Sequence, residues 1–144
     1  LADNRGHMLA VQMGGQNWLV DPADISEALP LPPLTPVPLT KPWLRGVMNA
    51  HGSLYCVTDL AAYLQQGAAS GEHENRVLVL ADREAHAALL VENVVGLREV
   101  GGWTRSETDG QIQYCDEQGA IWRKLDVPGL LEQPAFLQTG IEGA

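Results

Sequence analysis

Few side chains in this chain could do chemistry: Cys56 and Cys115, four histidines, and a handful of carboxylates, among which Asp59 could act as a general base but stands where a helix cap belongs. Cys56 follows His51 by five positions, which could pair a thiol with an imidazole base. Nucleophilic catalysis also needs a third group to orient that base, and the surrounding run supplies none. His73 stands between Glu72 and Glu74 with no second histidine or cysteine at ligand spacing, so it reads as part of a solvated loop and not as a metal ligand. His86 opens an apolar run and reads as a structural histidine, while Arg45 beside Gly46 suits surface recognition or plain solvation. The sequence contains no Gly-x-Ser-x-Gly elbow, phosphate loop, His-Glu-x-x-His helix or dinucleotide fingerprint. The expectation is a protein with no catalytic residue, no metal and no cofactor.

The elements that would carry these residues are most legible between Trp43 and Leu64. Asn49-Ala50-His51-Gly52 has the composition of a hairpin connection, since Asn and Gly tolerate positive φ. Leu54, Tyr55, Cys56 and Val57 then form a buried or half-buried strand. Asp59 is placed to cap a short helix, with Leu60, Tyr63 and Leu64 on one face and Gly67 as the stop. The same unit recurs 67 positions later: Gly119-Ala-Ile-Trp-Arg-Lys-Leu-Asp126 mirrors Gly52-Ser-Leu-Tyr-Cys-Val-Thr-Asp59. Apolar residues follow each aspartate at the same spacing, Leu60, Tyr63 and Leu64 in one copy and Val127, Leu130 and Leu131 in the other. A fixed offset with matching turn, strand and cap implies two related β subdomains.

Elsewhere, Met8 to Met13 and Gln16 to Val20 read as a hairpin turned at Gly14-Gly15, and Ile25 to Leu29 as an extended path. Five prolines from Pro30 to Pro38 exclude helix and central strand and give a stiff connection between lobes; a proline-rich ligand for an SH3 domain is the competing reading. Val77 to Leu80 and Ala87 to Val91 are apolar on both faces, which places them between layers. Val94 to Val100 continues as a strand, Trp103 to Gly110 reads as a polar loop, and Ile112 to Cys115 with Ala120 to Leu125 forms the hairpin of the second copy. Pro134 to Ala144 is a tail able to pack through Phe136 and Leu137. Short strands with Gly, Asn and Asp turns predict an all-β chain of two small barrels. One is centred on about 25–80 and the other on about 8–20 plus 81–132, within a single domain spanning 1–144.

With 18 acidic against 9 basic residues the net charge is −9, and the basic residues form no run, which disfavours a nucleic-acid partner. No apolar run approaches the roughly 20 residues needed to cross a bilayer, and no secretory pattern opens the chain. Cys56 and Cys115 lack Cys-x-x-Cys spacing and read as reduced, small hydrophobes of a cytoplasmic protein.

Leu44-Arg45-Gly46-Val47-Met48-Asn49-Ala50-His51-Gly52-Ser53-Leu54 through Asp59-Leu60 resembles the central motif of the CheW family of chemotaxis-type coupling proteins. Arg76 to Leu80 followed by Ala88 to Val94 is similar to the paired strands of that family. Thr35-Pro36-Val37-Pro38, Lys41-Pro42-Trp43 and Phe136-Leu137 look like the branch serving type IV pilus twitching, the PilI-type proteins. The resemblance implies two five-stranded SH3-like barrels, no catalysis, and a bridge between chemoreceptor tips and the regulatory domain of a CheA-like histidine kinase. It would place receptor contact at Ile25, Glu27, Ala28, His51 and Val77, and kinase contact at Arg45, Gly46, Asn49, Ala50, His51 and Gly52. Two departures stand out: His51 replaces the usual arginine of the turn, and Cys56 the usual proline. A shorter, largely neutral imidazole makes altered or lost coupling one alternative. A small-ligand domain on the same barrels, or the regulatory end of a larger kinase, are the others.

Overall fold

The computed structural model describes residues 6–36, 41–63, 75–82 and 85–133. Leu64 and Gly67 of the proposed helix end, His73 with its flanking glutamates, part of the proline run and the Phe136-Leu137 tail lie outside them. Eleven strands occur among the described residues: β1 His7–Met13, β2 Gln16–Val20, β3 Ile25–Pro30, β4 Leu44–Ala50, β5 Ser53–Asp59, β6 Arg76–Leu80, β7 Ala87–Val91, β8 Asn93–Glu99, β9 Thr104–Thr108, β10 Gln111–Cys115 and β11 Ile121–Lys124. Two short helices follow β5 and β11, α1 Leu60–Tyr63 and α2 Val127–Leu131. No helix among these residues is long and apolar enough to cross a membrane.

Three hairpins turn on two residues that both hold positive φ, Gly14-Gly15, His51-Gly52 and Asp109-Gly110. This type I′ geometry follows the right-handed twist of the strands it joins. At the tip of β4–β5 the residue in the left-handed region is His51 at φ 54, not Asn49 as the composition suggested. Asn49 instead pairs with Leu54, and Ala50 with Ser53, which leaves only two residues to make the turn.

The strands pair as two sheets, β8-β1-β2-β11-β10-β9 and β3-β6-β7-β5-β4. Both contain one five-strand pattern. Along β3-β6-β7-β5-β4 the pairings run antiparallel, antiparallel, parallel, antiparallel, and along β8-β1-β2-β11-β10 they run the same way. The 67-residue offset carries β3 onto β8, β4–β5 onto β10–β11, and α1 onto α2. The central hairpin breaks the simple repeat. In the first unit β6–β7 follows α1, whereas in the second its place is taken by β1–β2 from the beginning of the chain.

Two sequence expectations need correction. Residues 87–91 do not join the second unit: β7 pairs in parallel with β5 and antiparallel with β6, so the sheet boundary falls at Glu92. Thr104–Thr108 is a strand and not a loop. Every residue of β9 is exposed, so its sequence has no apolar alternation, and its ladder to β10 alone defines it. This strand makes the second sheet six-stranded where five were expected.

Alternation along the central hairpins divides the apolar residues among three cores. Val77, Val79, Ala88 and Leu90 pack with Met48, Ala50 and Val57 inside the first barrel. Ala10 and Leu19 pack with Val100 and Trp122 inside the second. The opposite faces of these hairpins, Leu78, Leu80, Leu89 and Val91 with Val11, Met13, Trp18 and Val20, meet in a shared layer that also takes Leu60, Leu125, Val127 and Leu130. Strands that are apolar on both faces thus do lie between layers. The proline-rich stretch contributes to closure: Thr35 N–H donates to Val47 C=O and Val47 N–H to Thr35 C=O, both at 2.9 Å, so the chain beyond β3 bridges to the far edge strand β4. Prolines on either side of Thr35 hold the segment extended and cannot extend the ladder.

Candidate protein-docking surfaces

The tip of β4–β5 is fixed by one side-chain contact. His51 Nε2 meets Glu27 Oε1, joining the turn on one side of the first sheet to β3 on its opposite edge. His51 is well exposed and Glu27 half-buried, so the pair sits at the rim. Behind it lies a cleft of about 580 Å³ lined by Ser26, Ser53, Tyr55, Leu80 and His86 among others. His86 is held there by Leu54: its Nδ1 lies 3.2 Å from the Leu54 carbonyl, which fixes Nδ1 as the donor, and its ring tilts against Tyr55 at 5.6 Å between centroids.

The structure therefore brings together two of the residues assigned to receptor contact, Glu27 and His51. Ala28 is exposed on the same strand, and Ile25 is half-buried against the shared core. Val77 is a correction, because it is fully buried among Met48, Ala50 and Leu90 and presents nothing to a partner. The kinase set divides likewise. Asn49, His51 and Gly52 are exposed, and Arg45 is 38% exposed with Nε 3.8 Å from the buried Asp59 Oδ2. Gly46 and Ala50 are buried. Gly46 has φ 143, and a Cβ there would lie 2.7 Å from Thr35 O, so glycine is required by the closing bridge and not by recognition. Asp59 caps α1, accepting from Ala62 N–H at 3.3 Å, and Asp126 caps α2, accepting from Gly129 N–H at 3.1 Å. Both match the capping role read from the repeat.

Sequence reasoning missed several strongly exposed aliphatic residues, Leu97 of β8 at 58% among them. Leu54 is 62% exposed and Ile121 is 51% exposed. They are the same position of the two copies, each two residues after the turn glycine, and each is paired across its hairpin, Leu54 with Asn49 and Ile121 with Cys115. The 67-residue offset was the signal that could have found them. A third surface lies where the units meet: a cleft of about 430 Å³ with an apolar wall of Ala81, Val127, Pro128 and Leu131 and carboxylates Asp24, Asp82 and Glu132 on its rim. Partial burial, and then the nearby Asp21, push the Asp24 carboxyl above its ordinary range.

These groups are poorly arranged for catalysis. Burial pushes the Cys56 thiol up, which lowers its thiolate content, and His51 is engaged by Glu27. Neither cysteine is bonded to another, and no cluster of three metal-ligating side chains occurs among the described residues. What remains is a pair of filled barrels with solvent-facing aliphatic residues and rim charges, the equipment of a protein-docking module.

The chain belongs to the CheW-like domain family, whose model matches residues 7–135. Among curated proteins it is similar to Protein PilI of Pseudomonas aeruginosa, 30% identical over 99 residues, which cover 69% of this chain and 56% of PilI. The chain thus spans only about half the length of that relative. Among solved structures, the scaffolding protein TtCheW from Thermoanaerobacter tengcongensis has the same fold, with a TM-score of 0.67 over 85% of this chain and 84% of that one at 15% identity. The SH3-like two-barrel architecture expected from the motifs is thereby established.

Proposed function

We propose that this protein is a noncatalytic, cytoplasmic adaptor that couples chemoreceptor tips to the regulatory domain of a CheA-like histidine kinase, in a chemotaxis-type system acting on type IV pili. Family membership and the similarity to PilI support the class of system. One observation carries the adaptor reading: each barrel presents an exposed aliphatic residue at the same place, Leu54 in the first and Ile121 in the second. Two matched apolar protrusions on a body with little internal chemistry suit a molecule that touches two proteins at once. In this reading the kinase meets the Arg45, Asn49, His51, Gly52 and Leu54 face, and the receptor meets Ile25, Glu27, Ala28 and His51 at the barrel rim.

The test is titration calorimetry of the whole chain against a kinase regulatory domain and a receptor cytoplasmic fragment, using Leu54→Ala and Ile121→Ala. Removing three buried carbons from a contact is worth about 2 kcal/mol, so Leu54→Ala is expected to weaken kinase binding about thirtyfold. Ile121→Ala is expected to leave that contact intact and impair a second one. Wild-type affinity for every partner in both variants would refute the reading. One observation favours altered partner preference within it: the imidazole of His51 engages Glu27 inside the chain instead of being offered wholly to a partner.

A further inference from the structure

Four strands lie at the edges of the two sheets, and three of them are interrupted. β8, β3 and β4 each carry one residue that the register skips, Val95, Ser26 and Arg45, and such bulges turn an edge away from regular pairing. β3 also ends in Pro30, and β4 is bridged on its outer side by Thr35. β9 has none of these devices. Thr104–Thr108 pairs with β10 through five consecutive residues without a shift, contains neither proline nor lysine, and is exposed at every position. No described strand lies beyond it. The turn tells which of its backbone groups are free. Thr108 and Gln111 close the two-residue Asp109-Gly110 connection and so exchange both of their backbone hydrogen bonds. Alternation commits Ser106 and Thr104 to β10 as well, which leaves the N–H and C=O groups of Arg105 and Glu107 directed away from the sheet.

The charges on this edge complement themselves. Arg105 Nη2 lies 3.4 Å from Glu107 Oε1, so a cation and an anion share one exposed face of the strand. Set antiparallel against a second β9 and centred on Ser106, Arg105 falls opposite the partner's Glu107, and Glu107 opposite the partner's Arg105. These are the residues whose backbone groups are free, so a single register completes the main-chain ladder and sets opposite charges side by side. A slip of two residues either way puts Arg105 against the partner's Arg105, or Glu107 against the partner's Glu107, and charge therefore selects the centred arrangement. On the other face Thr104 meets the partner's Thr108, and Ser106 meets the partner's Ser106, hydroxyl pairs suited to cross-strand contact. We infer that β9 is a homodimerisation edge: two copies of this chain join their six-stranded sheets through an antiparallel β9–β9 ladder. The two-fold axis passes through Ser106 perpendicular to the sheet. Ile121 lies opposite Cys115 and Cys115 opposite Thr104, so both copies of Ile121 face the same side of the joined sheet. This goes beyond the adaptor reading by pairing the adaptor with itself, at a surface separate from Leu54 and Ile121.

The measurement is sedimentation velocity of the full chain from about 5 to about 500 µM, because one short edge strand makes a small contact and a Kd on the order of 100 µM is expected. Arg105→Glu and Glu107→Arg each set like charges together at both symmetry-related positions and should weaken the dimer about tenfold or more. Combining the two substitutions in one chain should recover wild-type association, since the opposite charges then simply exchange places across the two-fold axis. An equimolar mixture of the two single variants should recover it as well. Glu107→Pro deletes an outward N–H that β10 does not use and should abolish the dimer while leaving the far-ultraviolet spectrum unchanged. If the proline variant does not fold, the charge exchanges at exposed positions still decide the matter. A wild-type chain that stays monomeric throughout the range, single variants that associate as tightly as the wild type, or a combined variant no tighter than either single one would each overturn the proposal. Should the chain stay monomeric while Leu54→Ala still impairs kinase binding, the β9 pairing falls and the adaptor reading stands.

Discussion

Trp122→Ala is the perturbation whose outcome follows most directly from the packing. Trp122 is 8% exposed, lies in the core of the second barrel with Ala10, Leu19 and Val100, and tilts against Trp103 at 5.7 Å between centroids. Truncating a buried tryptophan removes its transfer free energy and leaves a cavity, together about 3–5 kcal/mol. For a domain of this size each kcal/mol moves the midpoint by roughly 2–4 °C, so the expected fall in Tm is on the order of 10–15 °C. The residue has a second, separable role. Its Nε1 donates to Asp116 Oδ2 at 3.0 Å, and this bond, followed by the Ala120 N–H, is what holds the Asp116 carboxyl below its ordinary range. A carboxyl depressed in the folded state stabilises the protein above its unfolded pKa, and that contribution disappears as pH falls through the folded value. Trp122→Phe should therefore keep most of the packing while bringing the Asp116 titration back toward 3.8, the ordinary value. Thermal unfolding by circular dichroism reads the first effect, and carboxyl ¹³C NMR across pH 2–6 reads the second. A midpoint shift under about 3 °C for Trp122→Ala would mean that Trp122 does not hold this core together. An Asp116 titration unchanged in Trp122→Phe would remove the hydrogen bond from the account.

Gly46→Ala is expected to destabilise by at least about 2 kcal/mol, measured by urea unfolding, because both φ 143 and the 2.7 Å approach to Thr35 O oppose a side chain. Asp24→Asn is expected to raise Tm at pH 7. A raised folded-state pKa means the ionised form is disfavoured in the fold, so stability declines as pH rises through that range, and the gain should vanish below about pH 4. His51→Asp places a carboxylate beside Glu27 at an exposed turn and should leave the far-ultraviolet spectrum intact while weakening partner binding in calorimetry.

Features set by neighbours in sequence were legible before any coordinates. The Gly14-Gly15 turn, a hairpin connection within Asn49–Gly52, the Asp59 and Asp126 caps and the doubled unit all follow from local chemistry, and the cap after each hairpin pinned the copies to one offset. What escaped depends on distant partners. The parallel placement of β7 beside β5 is chosen by the shared core, and nothing within Ala87–Val91 states which sheet it joins. The outward orientation of Leu54 follows from the register that pairs it with Asn49; an aliphatic residue in a strand reads as buried until that register is known. β9 was invisible because a strand exposed on both faces has no apolar period. Among the residues that resemblance assigned to partner contact, it found the exposed turn but could not separate the exposed side chains from the buried positions beneath them, Val77, Gly46 and Ala50.

The borrowing of β1–β2 by the second barrel has a consequence during synthesis. The β1–β2 hairpin has its flanking neighbours in β8 and β11, and Ala10 waits for Gly96 while Trp18 waits for Arg123. Its apolar faces must stay uncovered until synthesis has passed Lys124, so the nascent chain is exposed to aggregation over the whole interval between β2 and β11. The same interleaving makes dissection one-sided: a cut at Glu92 leaves the five strands of the first sheet on one product but strips β1–β2 from the strands β8 to β11 that they complete.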